Sequence, residues 1–227
     1  MVKFNWRTIV LAAAVLTVIV AGGLYYRSRA QFDPLTTISD ALNNSVVEEK
    51  YRFQVETKIS VHGHERQLSQ VEGQKSGPTD FYIKGVMENV PVEVYQINRT
   101  TYMKDPETGK WMVTPGSELL DQELFMVEIN PLSVFNFTGL GDPEYLGRQK
   151  LEDKKKYHLF ALRPEVKNAF LTTYFKDFEY RVWVDPSDVR IVQGEMWARY
   201  KNNPEDWVYL KVKLWDYGKA EPLQPPV

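Results

Sequence analysis

Tyr51-Arg52-Phe53-Gln54-Val55-Glu56-Thr57-Lys58-Ile59-Ser60-Val61 alternates apolar or small side chains with charged or polar ones for eleven residues. Side chains of a strand point to opposite faces in turn, so this period of two predicts a long strand with one dry face and one wet one. Just before it the period is different. Leu35, Ile38, Leu42 and Val46 recur at three and four residues behind Pro34, which predicts one amphipathic helix ending near Glu48. Just after it, His62-Gly63-His64 reads as a turn, and weaker alternation follows through Leu68–Gln74, Asp80–Glu88 and Val90–Asn98. Thr101–Lys104 and Lys110–Val113 flank a proline and glycine turn at residues 105–109 and predict a further hairpin.

The alternation stops between Ser117 and Phe137. There Leu119, Leu120, Leu124 and Val127 fit a helix capped by Ser117. Strands resume at Glu144–Leu151 and Tyr157–Leu162, and Pro164 opens a second helical segment over Glu165–Lys176 with Val166, Phe170 and Tyr174 on one face. Phe178–Val184, Val189–Tyr200 and Trp207–Trp215 complete the set. The expected fold class is α+β: a large curved antiparallel sheet of about ten strands, a half-barrel, covered on its concave side by a few helices. Its last strand places Val208, Leu210, Val212 and Leu214 on one face and Trp207, Tyr209, Lys211, Lys213 and Trp215 on the other. Aromatics on that second face suit either a membrane or partner contact or lysine stems and rings lying on a wet surface.

At the amino terminus, Thr8–Tyr26 is an uncharged apolar run between Lys3 and Arg7 on one side and Arg27 and Arg29 on the other. At about 1.5 Å per residue it is long enough for one membrane pass, with the short N-terminus cytosolic and the rest extracytoplasmic. A cleaved export signal ending at Ser28-Arg29-Ala30 is the alternative, weakened by the length of the run. The expected division is a cytosolic stub and anchor at 1–29, one extracytoplasmic domain at 30–220, and a proline-rich tail at 221–227 that does not pack. Beyond residue 29 the chain holds 24 basic and 30 acidic side chains. A net charge of −6 argues against nucleic acid as a partner. Cysteine is absent, which excludes disulfides, a thiol nucleophile, thiolate metal ligation and an acylated lipobox cysteine.

The order of elements resembles exported lipid and lipoprotein carriers typified by LolA and the LppX/LprG lipoproteins, and the related sensor domain of RseB. The likeness is carried by the helix Leu35–Val47 running into Tyr51-Arg52-Phe53-Gln54-Val55, the stretch Val94–Met112, the paired strands around Gly147 and Tyr157-His158-Leu159, and Arg181-Val182-Trp183-Val184-Asp185-Pro186 followed by Arg190-Ile191. It covers about residues 34–217 and implies an unclosed barrel that holds acyl chains against helices, with no catalytic residues and no cofactor. An anchored chain departs from shuttling relatives, which favours local handover or sensing.

Catalytic signatures are missing on the residues' own terms. His158 has no serine or acid at triad spacing, there is no Gly-x-Ser-x-Gly elbow, and Glu48-Glu49 and Glu152-Asp153 read as solvated turns. His62, His64 and Glu65 have metal-ligand chemistry at a hairpin tip, where turn histidines are the commoner case, so no metal is assigned. Lys154-Lys155-Lys156 reads as a charged hairpin tip more readily than as a headgroup contact. Met87, Met103, Met112, Met126 and Met196 could form an adaptable apolar wall. The expected function is non-catalytic binding of a lipid, acyl chain or lipoprotein by a membrane-anchored extracytoplasmic domain. The candidate cavity lining is Phe53, Val55, Ile59, Val94, Tyr102, Leu124, Phe125, Phe170, Tyr174, Val182 and Val184. The rival is a solid-cored structural or regulatory module with a protein partner in the bacterial envelope.

Overall fold

The computed structural model describes Thr17, residues 33–116 and residues 126–226. Apart from Thr17, the run Thr8–Tyr26 lies outside them, as do Leu119, Leu120, Leu124 and Phe125. No helix among the described residues is long and apolar enough to cross a membrane.

Helix α1, Pro34–Val46, begins where Asp33 accepts a hydrogen bond from the Leu35 amide and Pro34 occupies the first helical position. It buries Ile38, Ala41, Leu42 and Ser45, while Leu35 and Val46, expected on the dry stripe, are exposed. The stripe is rotated toward the small residues because α1 lies close against the sheet: the Ser45 hydroxyl donates to the Ala41 carbonyl and accepts from the Ile191 amide.

The chain then lays down β1 (Lys50–Val61), β2 (His64–Ser76), β3 (Phe81–Met87), β4 (Val90–Ile97), β5 (Thr100–Lys104) and β6 (Trp111–Pro115) as a meander. The first hairpin turns on two residues, His62 and Gly63, both at positive φ, with Val61 paired to His64. That backbone matches the twist of the flanking strands, and the glycine meets its requirement without strain.

The helix expected from its Ser117 cap to about Val127 lies, apart from Met126 and Val127, outside the described residues, and the described stretch that follows is helix α2 (Met126–Ile129), a 3₁₀ turn (Pro131–Phe135) and β7 (Phe137–Gly139). Pro131 explains the end of α2, since it has no amide to continue the helix before it. After β8 (Glu144–Lys150) and β9 (Lys156–Leu162), the second expected helix is shorter: Glu165–Val166 forms β10, paired with β7, and only Ala169–Tyr174 is helical, as α3. Asn168 caps α3 by accepting from the Leu171 amide. Strands β11 (Phe175–Val184), β12 (Ile191–Tyr200) and β13 (Trp207–Trp215) follow.

Eleven strands form one sheet in the order β6-β5-β4-β3-β2-β1-β13-β12-β11-β9-β8, and every pairing is antiparallel. The first and last strands meet at its centre, with Val55 opposite Val212. Strands β6 and β8 are left as edges, so the sheet is an unclosed half-barrel with few helices, all of whose buried side chains face one side. This helix-bearing side is called the inner face. Beyond β13, the Gly218 amide donates to the Lys50 carbonyl and the Glu221 carbonyl accepts from Gln74 and Ser76.

Candidate functional site: the inner face of the sheet

Three rows of paired residues define the inner face. One runs Phe160, Val182, Gly194, Val212, Val55, Val71, Gly85, Val92 across eight strands. A second runs Leu162, Tyr180, Met196, Leu210, Thr57, Ser69, Met87, Val90. A third runs Leu214, Phe53, Gly73, Ile83, Val94, Met103, Met112.

Over β9 to β2 these rows are sealed. Ile38 and Leu42 of α1, Ile129 of α2, and Leu132, Val134 and Phe135 of the 3₁₀ turn belong to the same buried cluster as the strands. Phe135 fits tightly: a Cβ on Gly194 would stand 2.2 Å from its Cζ, so only glycine admits the ring against the sheet. The Tyr180 hydroxyl donates to the Val134 carbonyl at 3.0 Å, fixing the 3₁₀ turn from below. Burial pushes this phenol's pKa far up.

Over β3 to β6 the same rows become more exposed, except at Ile83 and Val94, which stay buried. Met87, Val92 and Met103 are half-buried, Val90 is 49 % exposed and Met112 is 50 % exposed. Register places all five on the inner face beside Ile83 and Val94. Among the described residues the inner face is thus packed at its centre and ends in a partly bare apolar strip rich in methionine.

At the boundary sits Glu128 of α2, only 7 % exposed. Its Oε1 accepts from the Ser69 hydroxyl at 2.7 Å and the Thr57 hydroxyl at 3.4 Å. Burial raises its pKa, and the two hydroxyls oppose that rise. Further along, His158 is buried on the inner face with Nδ1 2.9 Å from the Tyr145 hydroxyl, and burial, with Arg148 as the lesser cause, lowers its pKa.

The candidate lining residues are not brought together at one opening. Phe53, Val55, Val182 and Val184 are 0 % exposed, and Ile59 and Val94 are buried, all within the central cluster. Of these, Val94 lies next to the bare strip through its pairing with Met103. Tyr102 is on the other face: it pairs with Tyr95, whose ring packs on Tyr82 at 4.3 Å and Trp111 at 5.6 Å. Phe170 and Tyr174 pack together at 5.2 Å on α3, with Tyr174 52 % exposed. Leu124 and Phe125 lie outside the described residues. Val90, Val92 and Glu128 were not singled out from the sequence. The alternation of β4 carries the signal for the valines, whereas nothing in Met126-Val127-Glu128-Ile129 marks a buried acid.

Over β11, β12, β13 and β1 the outer face is polar and internally compensated, while further out it exposes Val86, Val113 and Leu146 and carries the stacked rings of Tyr82, Tyr95 and Trp111. Arg181 lies over Trp197, which packs on Tyr209, and Lys58 lies over the same tyrosine. Ion pairs join Lys58 to Glu56, Lys211 to Glu195 and Arg163 to Glu179. A groove of about 1530 Å³ on this face is lined by Ala161, Arg163, Glu179, Arg181, Trp197 and Trp207 among others. Burying an acyl chain there would desolvate several charges, so the outer groove is a poor apolar site despite its size. Under the β8 to β9 edge, Tyr157, Leu159 and Trp183 form a small separate cluster, with the Trp183 indole donating to Gln149. Among the described residues no three His, Cys, Asp or Glu side chains are grouped to hold a metal ion.

No family model matches the chain, and no curated protein matches it. Solved structures do. A LolA superfamily protein from Nitrosomonas europaea is 13 % identical, with 85 % of this chain and 96 % of that chain covered at a TM-score of 0.36. A DUF1329 family protein from Desulfovibrio piger is 10 % identical, with 82 % and 92 % covered at 0.31. An outer membrane lipoprotein-sorting protein domain from Vibrio parahaemolyticus is 8 % identical, with 81 % and 90 % covered at 0.26.

Proposed function

We propose that this chain is a non-catalytic binding protein that takes the apolar chain of a lipid or an acylated protein along the bare inner strip of β3 to β6, as a local carrier or envelope sensor. One observation carries the reading: among the described residues, five apolar side chains, Met87, Val90, Val92, Met103 and Met112, continue the core rows to where the cover thins, with Val90 and Met112 about half exposed. Contiguous apolar surface of this kind is uncommon on a free protein and marks a contact site. Methionines suit flexible hydrocarbon because unbranched thioether side chains adapt to many shapes. The run Thr8–Tyr26 would hold the protein at a membrane, with the sheet outside the cytosol. This placement rests on the uncharged length of that run alone. In the proposal Val94 lines the inner end of the site, and Phe53, Val55, Ile59, Val182 and Val184 become available only if α1 or the 3₁₀ turn moves.

Native mass spectrometry with organic extraction of the full chain, purified from bacterial membranes, tests the reading. The expected result is a lipid co-purifying at about one per chain, reduced about tenfold in affinity by Met103→Glu, the equivalent of about 1.4 kcal/mol. A clean lipid-free mass, with no uptake of added phospholipid, would favour the second reading: a structural or regulatory interaction module whose core is solid. The zero exposure of Phe53, Val55, Val182 and Val184 supports that alternative.

A further inference from the structure

Glu128 is a carboxyl buried among apolar side chains with, among the described residues, no cation to balance it. The described elements packed on α2 supply none. From β1 the inner face presents Val55, Thr57 and Ile59, and from β3 it presents Ile83, Gly85 and Met87. The 3₁₀ turn that follows α2, Pro131–Phe135, carries no charged residue. From β2 it presents Ser69 and Val71, and beyond them Arg66 and His64, which share the face of Ile59 and Val61 by register. Both are exposed, and neither forms an ion pair with Glu128. Glu88, in the turn after β3, is exposed and would only add repulsion. The carboxyl has two hydroxyls for company, and the row that holds them, Thr57 and Ser69, leads directly to Met87 of the bare strip.

We propose that Glu128 is a proton-controlled latch: its neutral carboxyl keeps α2 docked on β1 and β2, and its ionisation releases α2 so that the apolar strip extends inward over Ser69 and Thr57. The consequence for ligand binding rests on the function proposed above, whereas the latch itself does not. The direction follows from the environment. A group held at a raised pKa in the docked state and returning to its ordinary value near 4.5 when solvated stabilises docking fully below that value. That stabilisation is lost as pH rises through the docked-state pKa. The protein is closed in acid and opens toward neutral and alkaline pH.

The test is amide hydrogen exchange of residues 127–135 in the full chain, corrected for intrinsic exchange, between about pH 4 and about pH 9. Protection in the native protein is expected to fall severalfold across that range, on the order of tenfold. Glu128→Gln is expected to hold the acid level of protection throughout. Ser69→Ala, which removes a hydrogen bond favouring the ionised form, is expected to move the midpoint upward, and it decides the matter should Glu128→Gln fail to fold. Flat protection in the native chain, or unchanged pH dependence in both variants, would overturn the latch. Uptake of a fluorescent phosphatidylcholine, whose headgroup does not titrate in this range, separates the two claims. A protection change without uptake at any pH keeps the latch and removes the lipid reading, whereas uptake with flat protection does the reverse.

Discussion

The centre of the inner face and its β3 to β6 end are built from the same alternating apolar residues and differ only in what lies on top. At the centre, Val55, Val182 and Val212 are beneath α1, α2 and the 3₁₀ turn and have no exposure. Five strands from β1 in the same row system, Met112 is half exposed. A period of two therefore specifies a dry face without specifying its cover, and the uncovered part is where an apolar ligand has something to gain.

Substitutions separate the two regions by size of effect. Phe135→Ala, which empties the space above Gly194, is expected to cost about 3–5 kcal/mol in chemical denaturation. Gly194→Val, which forces a side chain into the same ring, is expected to cost about 1–3 kcal/mol, with Phe135 displaced in the variant's structure. At the open end, Met112→Ala is expected to change stability by less than about 0.5 kcal/mol while weakening lipid uptake. On the outer face, Arg163→Ala breaks a solvent-exposed ion pair and is expected to leave both stability and lipid uptake unchanged. A large stability loss at Met112, or none at Phe135, would erase the distinction between packed centre and bare end.

Much of this arrangement was legible in the sequence, because long alternation leaves few choices. Strand β1, strand β13 and the turn at His62-Gly63 stand where the pattern placed them. The outer face of β13 also followed from alternation: Lys211 pairs there with Glu195, Lys213 with Glu152, and Tyr209 packs on Trp197. What sequence did not give depends on parity across turns and on distant packing. Val94 and Tyr102 both looked like lining residues, but the two-residue turn at Asn98 and Arg99 pairs Val94 with Met103 and so sends Tyr102 to the opposite face. The helices expected over about residues 117–127 and 165–176 had apolar spacing in their favour. Nearly all of the first lies outside the described residues, and the second is cut short by the β7 to β10 ribbon, whose pairing links Phe137 with Val166. Glu128 was invisible because a lone acid in a short segment reads as surface until Ser69 and Thr57 are found above it.

The most direct test of the central claim is to photo-crosslink the full chain with a diazirine-bearing fatty acid and map the adducts by mass spectrometry. The account predicts labelling at Met87, Val90, Val92, Met103 or Met112, suppressed in Met103→Glu. Adducts confined to the outer groove near Trp197 and Trp207 would contradict it.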